Sequence, residues 1–124
     1  MSATQYKDIL EMFSGNFPLL TKMYTVYDKA VAMVDANETL SKSIEVTALE
    51  ALELIVVAAR QSQSQKKETL KAISTKLDTV RVYVDLAAQT SKLTPAQAQE
   101  IQEAISGVGR MVGGWMKKIN NPQA

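Results

Sequence analysis

Four glycines crowd the C-terminal part of the chain, Gly107, Gly109, Gly113 and Gly114, and the sole tryptophan, Trp115, follows directly. Glycine clusters can cradle phosphates, so phosphate-binding patterns come first. A dinucleotide fingerprint needs Gly-x-Gly-x-x-Gly after a strand, but Val112 holds the third glycine position. A phosphate loop needs Lys and Ser or Thr after its last glycine, and Trp115-Met116 stand there instead. What survives is a steric reading. Each glycine in an exposed helix interior costs ~1 kcal/mol relative to alanine. The close approach of a neighbouring helix or a bulky side chain would offset that cost. Trp115 shares an apolar stripe and reads as a core or interface anchor. Base stacking is the alternative, although no arginine-aromatic interleaving surrounds it.

The remaining chemistry is narrow. The chain has no His and no Cys, which excludes Ser-His and Cys-His nucleophiles, imidazole or thiolate metal sites and disulfides. Glu45, Glu50 and Glu53 lack the Glu-x-x-His partners of a di-iron centre, so no metal or cofactor is expected and the chain reads as non-enzymatic. The cations group loosely. Arg60, Lys66, Lys67 and Lys71 surround a polar turn, and Lys117 and Lys118 close the last helix, where the helix dipole alone favours them. With 14 Lys and Arg against 13 Asp and Glu, the formal charge is +1. Nucleic-acid binding at that charge is expected to be weak, sequence-independent and salt-sensitive.

These residues need a scaffold, and the apolar spacing supplies one. Leu20, Met23, Tyr27, Ala30 and Val34 step by three and four, as do Ile44, Ala48, Ala51, Ile55 and Ala58. Leu70, Ile73, Leu77, Val80, Val84 and Ala87 form a third stripe, and Ile101, Ile105, Val108, Val112, Trp115 and Ile119 a fourth. Each set falls on one face of a helix. Thr94-Pro95-Ala96-Gln97 is a helix start, with Thr94 as N-cap, Pro95 at the first helical position and Gln97 completing a capping box. The polar run Arg60 to Thr69 marks a turn, and Asp35 to Ser43 marks another. The Asn37-Glu38-Thr39 glycosylation pattern inside it reads as part of that turn. The expected helices cover 18–36, 41–61, 66–91 and 95–120, an all-α, antiparallel up-down-up-down four-helix bundle. Residues 1–17 would form an arm or a short extra helix, and 121–124 a tail.

Apolar breadth adds a partner. Leu49, Leu52, Val56 and Ala59 run beside the second stripe, and Val80 to Ala88 is apolar on almost all sides. A surface helix is polar on its outer face, so this excess predicts self-association. The longest purely apolar run, Leu54 to Ala59, falls far below the ~20 residues that span a bilayer. No membrane partner is expected, and the absence of cysteine suits the cytoplasm.

The segment Val108-Gly109-Arg110-Met111-Val112-Gly113-Gly114-Trp115-Met116, within Leu93 to Ile119, resembles the last helix of Avd proteins, the accessory variability determinants of diversity-generating retroelements. Thr79-Val80-Arg81-Val82-Tyr83-Val84 resembles the family's third helix, and the likeness covers residues 19 to 120. The resemblance implies a four-helix bundle similar to the rRNA intervening-sequence proteins, assembled as a ring-like homopentamer. It implies binding to the retroelement's reverse transcriptase and assistance in copying template RNA into cDNA. Gly109, Gly113, Gly114 and Trp115 would take the close-packing and interface role. Arg81 and Arg110, with Lys66, Lys67 and Lys71, would contact nucleic acid. A pentamer of the intervening-sequence type, with a structural role and no retroelement, is the other reading.

Overall fold

The computed structural model describes residues 18–33 and 38–120. They form four helices, α1 (Pro18–Met33), α2 (Thr39–Arg60), α3 (Gln63–Gln89) and α4 (Pro95–Asn120), and no strand occurs among the described residues. The expected arm at 1–17, the tail at 121–124, Val34 and Asn37 lie outside them. Each helix packs on its neighbours in chain order and α4 closes against α1, while the backbones of the diagonal pairs stay apart across the shared core. This is the up-down-up-down arrangement that short connections dictate.

The stripes become the core. Leu20, Met23, Ile44, Ile55, Leu70, Ile73, Ile101 and Ile105 are fully buried. Alanines 48, 51 and 58 are buried as well, and α2 makes its most extensive contact with α3. Small residues on a facing stripe let two helices approach closely. In α1 the buried position belongs to Val26 rather than Tyr27. Tyr27 stays at the rim, where its phenol donates to Glu45 Oε1 at 3.4 Å. Burial, and then the Glu45 charge, push that phenol above its ordinary range.

The helix ends follow local chemistry. Thr94 N donates to Gln97 Oε1 at 3.0 Å and Gln97 N donates to Thr94 Oγ1 at 3.1 Å, the reciprocal pair of a capping box. At the end of α3, Lys92 N reaches Ala87 O at 2.8 Å and Ser91 N reaches Ala88 O at 3.1 Å. Those two bonds make a Schellman motif, and Ser91 occupies its left-handed position with φ 61°. The polar run from Arg60 to Thr69 is mostly helix: the turn takes only Gln61 and Ser62, and α3 starts at Gln63. Polarity keeps Gln63 to Thr69 out of a buried stripe, but Gln, Lys and Glu are good helix formers.

Candidate functional site

The topology sorts the charges. Because α1 and α3 begin where α2 and α4 finish, Lys22, Arg60, Lys66, Lys67, Lys117 and Lys118 gather at one end of the bundle, with Arg110 and Lys71 further in. Among the described residues, the carboxylates of that half are Glu50, Glu53 and Glu68, and Glu50 pairs with Lys76 at 3.5 Å near the middle of the bundle. Glu68 pairs with Lys71 at 3.4 Å, where both side chains are exposed. The opposite half carries Asp28, Glu38, Glu45, Asp78, Asp85, Glu100 and Glu103. Two of its lysines are ion-paired, Lys29 with Glu100 and Lys92 with Glu38. A formal charge of +1 therefore hides a strong separation along the bundle axis, which sets up a directional field.

Helix electrostatics account for part of this end only. Arg60, Lys117 and Lys118 sit in the last turns of α2 and α4, where a cation is stabilised by the dipole. Lys66 and Lys67 stand near the start of α3, where the same dipole opposes them, and no acidic residue occupies that first turn. Lys22 stands near the start of α1 in the same disfavoured position. Across the α1–α4 seam, the Arg110 guanidinium and the Lys22 side chain converge over Gly107. A Cβ built there would lie 3.8 Å from Arg110 Nη2 and 4.0 Å from Lys22 Nζ. Among the described residues neither cation has an ion-pair partner. Two unpaired cations aimed at one seam suit an anion from outside.

Lys66 also meets the tryptophan. Its Nζ lies 4.8 Å from the centroid of the half-buried Trp115 ring, a cation-π contact between the start of α3 and the end of α4. On the α1 side of Trp115 an open cavity of about 360 Å³ is lined by Pro18, Leu19, Met111, Gly114, Trp115 and Lys118.

Arg81 lies away from this end and is used differently. Its Nη1 donates to Gln102 Oε1 at 3.2 Å and its Nη2 to Ser106 Oγ at 3.0 Å, so the guanidinium bolts α3 to α4. The expected set of Arg81, Arg110, Lys66, Lys67 and Lys71 is thus not one cluster; Arg81 falls outside it. The glycines differ from expectation too. Nothing among the described residues lies within 4 Å of a Cβ built at Gly109, Gly113 or Gly114, because they fall on the outer side of α4. Among the described residues no helix makes the close approach expected at Gly109 and Gly113. Lys22 has no signal in the sequence, since only the packing of α1 on α4 brings it beside Arg110.

On α3 exposed apolar residues lie within the expected Val80 to Ala88 stretch; on α2 Leu49 is exposed as expected, but Leu52 and Val56 pack half-buried against the core and the exposed positions are Val46 and Val57 instead. Val46 is 53% exposed, Val57 46%, Val82 63% and Leu86 45%.

A family model described as bAvd-like matches residues 18–119, the four-helix body from the start of α1 almost to the end of α4. The chain belongs to the bAvd-like family. No relative of curated function matches it. Membership makes this bAvd-like chain an Avd-type accessory protein. No helix among the described residues is long and apolar enough to cross a membrane.

Proposed function

We propose that this chain is a non-enzymatic accessory protein of a diversity-generating retroelement, a homopentameric adaptor in the cytoplasm that binds the element's reverse transcriptase and holds template RNA or its cDNA at the cationic end. The observation that carries this reading is the set of cations gathered there without acidic partners, Lys22, Lys66, Lys67 and Arg110, the first three of them near helix starts where the dipole opposes them, in a chain of the bAvd-like family. Such cations destabilise a lone bundle modestly, and a phosphate backbone would neutralise them. The exposed Val46, Val57, Val82 and Leu86 support self-association. In a cyclic pentamer all five cationic ends face the same way, so a modest cluster becomes a ring of positive charge.

The test has two arms. Co-expression with the reverse transcriptase encoded beside this gene is expected to give a complex that survives purification. Titration with RNA at increasing salt is expected to show affinity falling steeply with log salt. Failure of the complex to form removes the adaptor role, and absence of RNA binding at low salt removes the nucleic-acid role.

A further inference from the structure

We propose that the cavity beside Trp115 receives an unpaired base of a single-stranded nucleic acid, with the neighbouring phosphates held by Lys118 and Lys66. The proposal rests on the nucleic-acid reading above and narrows it to single strands. Three features meet at this point. The cavity walls are mainly apolar, from Pro18, Leu19, Met111 and the Trp115 indole, and its volume of about 360 Å³ falls in the range of small-ligand sites. Lys118 stands on its rim, and Lys66 already rests on the same indole from the α3 side. The surroundings are cationic on every helix that reaches this end. An occupant must therefore offer a flat apolar face joined to negative charge, as a nucleotide does. A base in a duplex is stacked and paired, and its face cannot enter; a base in a single strand can.

A protein side chain would satisfy the walls alone. It would need flanking acids to satisfy the rim, and it is the competing outcome of the experiment. Gly114 fits the nucleotide reading as well. Among the described residues nothing lies within 4 Å of a Cβ built on it, so its missing side chain adds no wall at the mouth of the cavity.

Trp115 is the only tryptophan, which makes the site its own reporter. The full chain is titrated at low salt with a short mixed-sequence single-stranded RNA, the same RNA annealed to its complement, and an abasic phosphodiester of equal length. The single strand is expected to quench the tryptophan emission and to bind about tenfold tighter than the duplex. The abasic chain is expected to bind without quenching. Gly114→Leu fills the cavity mouth from an exposed helix position; it is expected to abolish the quenching and the tenfold preference while duplex binding persists. Trp115→Phe keeps an aromatic face and is expected to keep the preference. Equal binding of all three probes with unchanged emission overturns the base site and leaves the cationic end standing. Quenching by the reverse transcriptase but by no RNA assigns the cavity to a protein and overturns it too. If no probe binds, this proposal and the nucleic-acid reading fail together.

Discussion

Arg81 and Gln102 hold each other in both directions across the α3–α4 seam: Arg81 Nη1 donates to Gln102 Oε1 at 3.2 Å, and Gln102 Nε2 donates to the Arg81 carbonyl oxygen at 3.1 Å. The same amide nitrogen reaches Asp85 Oδ1 at 3.0 Å, and Arg81 Nη2 reaches Ser106. One arginine and one glutamine thus anchor four polar groups on two helices. Hydrogen bonds from a charged donor contribute more than neutral ones, ~1.5–3 kcal/mol. Arg81→Ala is expected to cost about 1–3 kcal/mol of stability, read by denaturant unfolding. It is expected to leave the salt dependence of RNA binding unchanged; a reduced salt slope would return Arg81 to the nucleic-acid surface.

Charge removal at the two ends of the bundle should separate position from net charge. Lys67→Ala with Arg110→Ala removes two cations from the cationic end, and Lys29→Ala with Lys92→Ala removes two ion-paired cations from the acidic end. The first pair is expected to weaken RNA binding and to flatten the log–log salt slope by about one for each phosphate that is no longer neutralised. The second is expected to leave the slope as it is. Equal effects would mean that the chain attracts RNA by overall charge alone.

The bundle is legible in the sequence because burial repeats: Ile101 to Val112 and Leu70 to Ala87 fall on one face each by counting residues. The boundary at Thr94 is legible because a capping box is a local motif. The charged end is half legible. Arg60, Lys66 and Lys67 are neighbours along the chain, and their grouping shows at once. Lys22 and Arg110 are far apart in sequence and meet only through the closure of α1 on α4. Arg81 is hard to place for a related reason: spacing tells which face a residue takes, while its partners Gln102 and Ser106 depend on helix register. The glycines carry a helix penalty that implies a close neighbour, and no spacing rule says whether that neighbour belongs to the same chain.

Ser91 is a stability liability in plain view. It holds φ 61° at the left-handed position of the α3 cap, a conformation that costs a side-chain-bearing residue roughly 1–2 kcal/mol and glycine almost nothing. Glycine loses more freedom on folding, which returns part of the gain. Ser91→Gly is expected to stabilise by about 0.5–1 kcal/mol, seen as a thermal midpoint raised by a few degrees. A lowered midpoint would mean that the serine side chain contributes more than its backbone costs.

Gly113 lies in the interior of α4, and among the described residues nothing comes within 4 Å of a Cβ built on it. In a lone bundle Gly113→Ala removes the helix penalty and is expected to stabilise by about 0.5–1 kcal/mol. The melt is informative in both directions when run across protein concentrations. A midpoint raised at every concentration leaves Gly113 facing solvent. A midpoint lowered only where the assembly forms puts it between copies of the chain, where an added methyl overpacks the interface.

The proposed assembly would use the outer faces of α2 and α3. Val82 is 63% exposed and Val46 53%, with Leu86 at 45% on the same helix as Val82. Single apolar residues on a surface are ordinary, but several on the outer faces of two adjacent helices indicate a partner. A cyclic assembly uses two different patches on each subunit, so a change in one patch is enough to break every interface in the ring. Wild type is expected to scatter light as an assembly of about five times the 13.6 kDa chain mass. Val46→Lys with Val82→Lys is expected to reduce that mass to a single chain while the helical circular dichroism stays unchanged, because neither side chain belongs to the core. The monomeric variant should also bind RNA more weakly than wild type at equal subunit concentration, since it presents one cationic end where the ring presents five. A wild type that scatters as one chain would remove the ring, and a double variant that stays assembled would move the interface to other helices.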